Sequence, residues 1–232
     1  MDTLSGEPRM SKPALTIDVI SDVVCPWCFI GKRRLTRALE LYREAHPDAP
    51  APEVRWWPFQ LNPDMPAEGI DRSTYLANKF GTANVSEIYA RVTAAGADVD
   101  IPFAFDKMVK QPNTLVAHSF IAQAGLHGLQ EPMLEALFTA YFLRGEDLTL
   151  PATLERIATD VGLPQAAIRE CLDGTELQKQ TAHEDARARE LGVSGVPFFI
   201  FNRRLAVSGA QPEDMLLQAM ERALEAPVAA NG

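Results

Sequence analysis

The 232-residue sequence is short of cysteine, of uncharged apolar runs and of positive charge. Each shortage excludes a class of protein. Three cysteines are too few for a disulfide scaffold, and a chain this long does not need one. The one long stretch free of Asp, Glu, Lys and Arg, residues 111–130, carries Asn113, Thr114, His118, Ser119, Gln123 and His127. It is not a run of about 20 apolar residues, so no membrane span is expected. Lysine and arginine number 22 against 31 acids, a formal charge of −9, which repels nucleic acid over most of a surface. Residues 1–12 hold acids and a proline but no apolar segment of the kind a secretory signal needs. The sequence therefore reads as cytoplasmic, with loose tails at 1–12 and 227–232. Four histidines and no second CxxC leave no zinc-ligand spacing, and no metal is expected.

What is present alternates between strand and helix. Residues 15–20 (LTIDVI) are rich in β-branched side chains and read as a strand. Pro26 suits the first turn of a helix, and Leu35, Ala38, Leu39 and Tyr42 carry helical spacing through residue 45. Residues 53–59 (EVRWWPF) form a second strand, so the first third of the chain is a βαβ unit with a parallel pair. Residues 63–189 change character. Helical spacing recurs near 73–80, 85–95, 113–124, 132–143, 152–161, 165–172 and 175–191, with no strand-like alternation longer than a few residues. The chain then returns to β: residues 198–201 and 205–208 are strands about an Asn202-Arg203 turn, and Pro212 opens a last helix. The order is β-α-β, a helical block, then β-β-α.

One motif carries chemistry. Cys25-Pro26-Trp27-Cys28 lies between the first strand and its helix. Sulfurs three residues apart at a helix start sit about one turn apart, within a small adjustment of disulfide geometry. Cys25 falls at the N-cap, where unpaired N–H groups and the helix dipole favour a thiolate. It is expected to be the attacking sulfur with a lowered pKa, and Cys28, one turn inside, the shielded resolving thiol. A metal half-site and a purely structural pair are the alternatives, and the strand-to-helix position favours redox chemistry.

The segment 21–31 (SDVVCPWCFIG) resembles the active-site strand and helix of FrnE-like DsbA family oxidoreductases of the thioredoxin superfamily. Residues 57–63 (WPFQLNP) resemble their second strand and loop. Asn113-Thr114 with Ala117-His118 resembles the start of a helix in their helical insert, and residues 192–199 (GVSGVPFF) their cis-proline loop. The resemblance implies an α/β thioredoxin fold with a large α-helical insertion between its halves. The thioredoxin-fold domain would be discontinuous, 13–62 and 190–226, and the insert 63–189. Pro197 would be cis and face Cys25 and Cys28, and Val196 would pair with an extended substrate. Pro26, Trp27, Val196 and Pro197 would support the site. The reaction implied is thiol–disulfide exchange with protein, peptide or small thiols through a redox-active Cys25–Cys28 disulfide, with no bound cofactor and with glutathione as a candidate co-substrate. A homodimer is compatible with the resemblance. Trp27 replaces the His of the periplasmic CPHC motif, which leaves the direction of electron flow open.

Other residues admit two readings. Asp18 interrupts a strand that should be buried: it tunes Cys28 or relays its proton, or it is an acid hydrogen-bonded locally. Asn113 caps a helix or reaches substrate. Phe59, Gln60 and Asn62 follow a strand end, where ligands bind in such folds. Lys32, Arg33, Arg34 and Arg37 form a solvated helix face or hold a glutathione carboxylate. His118 is expected as an ordinary core or helix-surface histidine, and Cys171 as a buried small hydrophobe rather than a third redox thiol. Two other functions compete with the oxidoreductase. One is a glutathione-dependent isomerase or transferase of the DsbA-like branch, of the 2-hydroxychromene-2-carboxylate isomerase or kappa-class type. The other is a peptide-binding chaperone module.

Overall fold

The structure is a computed structural model that describes residues 15–81 and 84–225. The expected tails, 1–12 and 227–232, lie outside the described residues. β1 (Thr16–Ser21) is central in a four-stranded sheet of order β2-β1-β5-β6. It runs parallel to β2 (Glu53–Pro58) and antiparallel to β5 (Phe198–Phe201), which pairs with β6 (Leu205–Ser208). The parallel pair needs a crossover, and α1 (Pro26–Ala45) supplies it. Alternation along the strands assigns the two faces. Ile17, Val19, Phe199 and Phe201 face the main core with α1 and the C-terminal helix α9 (Glu213–Glu225). Ile20, Trp57, Phe198 and Ile200 face a smaller cluster with Phe59, Ala188 and Val193.

The β5–β6 turn is made by Asn202 and Arg203, both at positive φ (48° and 56°). That is the mirror-image turn that matches strand twist, and Asn is among the residues that tolerate it. Asn202 also ties the hairpin down. Its Oδ1 accepts from the Thr16 N–H at 2.9 Å, and its Nδ2 donates to the Ala223 carbonyl at 3.2 Å.

Between β2 and β5 the chain is mostly helical: α2 (Arg72–Phe80), α3 (Val85–Ala97), α4 (Leu115–Leu126), α5 (Gln130–Arg144), α6 (Pro151–Val161), α7 (Gln165–Asp173) and α8 (Thr175–Glu190). Most bounds match the expected ones closely, but α4 begins two residues after Asn113, with Thr114 at its N-cap. Two short strands, β3 (Ile70–Asp71) and β4 (Lys110–Gln111), pair antiparallel where no strand is expected. Two residues cannot display a period of two, so the sequence pattern hides them.

α1 is fastened to α5 by charge. The Lys32 ammonium, expected at the surface, is only 4% exposed and lies 2.6 Å from Glu131 and 2.7 Å from Glu135. Arg33 adds a two-pronged pair to Glu135, with its guanidinium over the Phe29 ring. Arg34 donates to the Ala210 carbonyl, and only Arg37, paired with Glu40, stays on the exposed face. Burial alone would raise the Glu135 carboxyl; the Arg33 and Lys32 donors outweigh it and hold it below its ordinary range.

The outer edge of β2 meets a side chain from α5. Gln130 Oε1 accepts from the Trp56 N–H at 3.0 Å, and Gln130 Nε2 donates to the Trp56 carbonyl at 3.1 Å. Among the described residues no helix is long and apolar enough to cross a membrane.

Candidate active site

The strand-to-helix junction sets the site. Cys25 is the N-cap of α1 in extended backbone conformation, and Pro26 opens the helix, where its missing N–H costs nothing. Cys28 lies one turn in, and the two cysteines are 3.6 Å apart, both free thiols. Cys25 retains 5% of its surface and Cys28 none, so a substrate can reach only the first. Burial pushes the Cys28 thiol well above its ordinary pKa, and the neighbouring Cys25 pushes the same way. The opposing influences are the Ser21 hydroxyl and the Asp22 N–H, which donates to Cys28 Sγ at 3.5 Å. Trp27 is half-buried and packs on the edge of the main core.

The loop before β5 closes the other side. The Val196–Pro197 peptide is cis. The Val196 carbonyl accepts from Cys25 Sγ at 3.6 Å, and the Pro197 carbonyl from the Gly209 N–H at 2.8 Å. Gly31, on the second turn of α1, backs onto the Pro197 ring: a Cβ there would sit 2.9 Å from its Cγ. Cys25 and the loop that carries Val196 and Pro197, 171 residues apart in sequence at their point of contact, thus lie against each other.

The other expected positions are partly gathered. Phe59 is buried under the Arg189 guanidinium, 4.1 Å from its ring centre. Gln60 is buried as well. Its N–H donates to Asp185 at 2.7 Å and its carbonyl accepts from Arg189, so α8 clamps this loop. Gln60 Nε2 reaches Asn113 Oδ1 at 3.5 Å. Asn113 accepts from the Leu115 N–H at 2.9 Å and donates to the Met65 carbonyl at 2.7 Å, which joins the start of α4 to the loop after β2. Asn62 bonds Tyr75 and Lys79 of α2. Phe59 and Gln60 are therefore scaffold, while Asn62 lies half-buried with the exposed Lys79 beside it.

Asp18 is not the acid behind Cys28. Its neighbours on β1 point to the opposite face, and its Oδ1 accepts from Trp57 Nε1 at 2.9 Å, half-buried at the sheet surface. The buried acid is Asp22, with no exposed surface. Its Oδ2 accepts from the Leu61 N–H at 2.8 Å, and its Oδ1 faces the Val24 N–H at 3.5 Å and His118 Nε2 at 3.3 Å. The signal for it is position: Asp22 sits in the turn between β1 and Cys25, where a carboxylate, with two acceptor oxygens, can take several converging N–H groups. Cys171 is fully buried, donates to the Ser119 carbonyl, and is pushed by burial up to about 12. Among the described residues no group of three or more His, Cys, Asp or Glu could hold a metal ion.

A parallel strand pair, an antiparallel hairpin, a helix led by CxxC and a cis-proline loop facing it define a thioredoxin-like fold. The DSBA-like thioredoxin domain matches residues 16–221, and the chain belongs to that family. It is similar to the uncharacterised protein YwbO of Bacillus subtilis, 24% identical over 210 residues, which span 88% of this chain and 94% of that one. Its structure is similar to the probable DsbA oxidoreductase SCO1869 of Streptomyces coelicolor, with a TM-score of 0.83 and 25% identity over 94% of this chain and 93% of that one. A cytosolic disulfide reductase, DsbM of Pseudomonas aeruginosa with GSH, shares the fold at a TM-score of 0.60 and 18% identity, over 90% of this chain and 96% of that one.

Proposed function

We propose that the chain is a thiol–disulfide oxidoreductase acting on protein, peptide or small-molecule thiols and disulfides. Membership of the DSBA-like family supports the class. The observation that carries the reading is the Cys25–Cys28 pair, 3.6 Å apart at the start of α1, with one sulfur accessible and the other sealed. In this reading the Cys25 thiolate attacks a substrate disulfide and forms a mixed disulfide. Cys28 then displaces the substrate sulfur, and the protein leaves oxidised. The same steps reversed oxidise a substrate dithiol. Pro26 and Trp27 shape the approach to Cys25. Val196, whose carbonyl lies beside Cys25, offers main-chain pairing to an extended substrate, and Pro197 holds that segment against α1.

Glutathione is the small thiol proposed as co-substrate. It is supported by a structural neighbour solved with GSH and by the polar corner of Asn62, Tyr75 and Lys79, whose ammonium suits a carboxylate. Lys32, Arg33 and Arg34 are taken up by α5 and the Ala210 carbonyl and are not assigned to it. Sparse cysteine usage supports a cytoplasmic setting.

The test is a titration across GSH/GSSG ratios, with free thiols trapped by alkylation and counted by mass. Paired, reversible loss of the Cys25 and Cys28 thiols is expected. No disulfide at any ratio, or one stable glutathione adduct, would overturn the reading and point to the isomerase or transferase chemistry of the same branch.

A further inference from the structure

An open groove of about 720 Å³ runs between β2, α4 and α8, and neither Cys25 nor Cys28 lines it. Trp56, Trp57 and Pro58 form one side, Ala122 and Leu126 another, and Leu177 contributes from α8. The polar atoms of these walls are already engaged inside the protein. Trp56 Nε1 donates to Glu131 at 3.0 Å and Trp57 Nε1 to Asp18 at 2.9 Å, so the indoles keep only apolar surface to offer. The Thr181 hydroxyl donates to the Leu177 carbonyl and lies 3.1 Å from Ser119 Oγ. Gln130, at the end of the groove, has its carboxamide on the Trp56 main chain. The interior of the groove therefore asks for an apolar side chain.

Three features decide whose side chain that is. The first is the strand edge. An added strand needs main-chain donors, but the Trp56 N–H is taken by Gln130 and Pro58, on the same edge, has none. An extended peptide thus finds no ladder there, and the contact must run through side chains. The second is charge. The ionised side chains that line the groove are Arg55 and Lys179 against Glu176 and Glu184, which cancel. On a chain of formal charge −9 most faces repel a second copy, and this one does not. The third is Leu126. It ends α4 on the rim of the groove with 79% of its surface exposed, beside Gly125, which has no side chain to screen it.

A twofold pair brings the same patch of both copies together, so that patch must carry knob and hole, and both signs of charge, at once. This one does. Leu126 is a knob on the rim of a hole of matching chemistry, and the surrounding charges are balanced. We propose that the groove between β2, α4 and α8 is a homodimer interface, in which Leu126 of each copy enters the groove of the other. The apolar centre is the pair of leucines against Trp56 and Trp57, and the charged side chains of β2 and α8 form its polar rim. Both Cys25 thiols stay outside the interface, so the pairing is independent of the chemistry proposed for them.

The test is sedimentation of the reduced full-length protein from about 1 to 200 µM, the span in which weak interfaces assemble. The mass is expected to rise from 25.5 kDa toward twice that value. Leu126→Asp should weaken association by about a hundred-fold or more, because each dimer buries two such side chains. Leu150→Asp, which alters another exposed leucine at the start of α6, should leave it unchanged. Leu126 is too exposed to support the core, so the variant should keep the parent's far-UV circular dichroism. A second measurement needs no change at Leu126. With Cys25, Cys28 and Cys171 replaced, a nitroxide on His127→Cys should show one distance between copies within about 20–24 Å, two helix diameters. A protein that stays monomeric over the whole range would overturn the proposal and leave the groove to a small apolar ligand or another protein. A dimer that survives Leu126→Asp, or one whose labels at position 127 lie far apart, would overturn it as well.

Discussion

Gly31 and Pro197 meet where α1 passes behind the loop that leads into β5, and the contact leaves no room for a methyl group. Even an ideal Cβ would also come within 3.3 Å of the Phe199 ring. Gly31→Ala should therefore push Pro197 outward and carry the Val196 carbonyl away from Cys25. The expected result is a loss of about 1–3 kcal/mol in urea unfolding. A fall in disulfide-exchange rate larger than that of a remote helix variant, such as Gly125→Ala, should accompany it.

The three thiols should separate sharply under native alkylation. Cys25 keeps some exposed surface, whereas Cys28 and Cys171 keep none. At neutral pH a thiol with a pKa of about 12 is ionised to roughly one part in 100,000. Short exposure of the reduced protein to iodoacetamide, read by mass spectrometry, should give a single adduct at Cys25. Adducts at Cys28 and Cys171 should appear only after denaturation.

The clamp between α1 and α5 should weaken in acid. Glu135 has a folded-state pKa below its ordinary value, so its stabilising effect is complete above the unfolded carboxyl range, about 4.3. That effect is lost as the pH falls through the folded value. Glu135→Gln should cost about 1–3 kcal/mol at pH 7, because it strips one of two carboxylates from the buried Lys32. The gap between variant and parent should shrink below about pH 4, which urea midpoints at several pH values would show.

Asp185, on α8, holds the loop after β2 through the Gln60 N–H. Asp185→Ala leaves the buried Gln60 N–H without its acceptor and Arg189 without its ion pair, a loss of about 1–3 kcal/mol. Because Leu61 in the same loop donates to Asp22, hydrogen exchange should quicken at Gln60 and Leu61 ahead of β1.

The fold and the cysteine pair were legible because each follows from local signals. The strands carry β-branched and aromatic runs, the helices carry apolar spacing, and a CxxC behind a proline-led helix start is itself a chemical statement. Asp22 and Asp18 show where such reading stops. Both are acids near the cysteines, and pleating decides that Asp18 looks outward to Trp57 while Asp22, past the end of the alternation, turns inward. The pairing of His118 with Asp22, 96 residues away, and the burial of Lys32 against Glu131 and Glu135, about 100 residues away, depended on distant partners and had no local signature. The short β3–β4 pair escaped for the opposite reason, being too brief to show any period.

The carboxamide of Gln130 has a consequence for how the molecule behaves in a crowd. With both its oxygen and its nitrogen on the Trp56 main chain, it stands in for the strand that would otherwise come next. A sheet edge with open main-chain groups is a template on which another extended chain can pair. Capping the β2 border at Trp56 removes one such template, and a Gln130→Ala chain would be the one to watch for self-association.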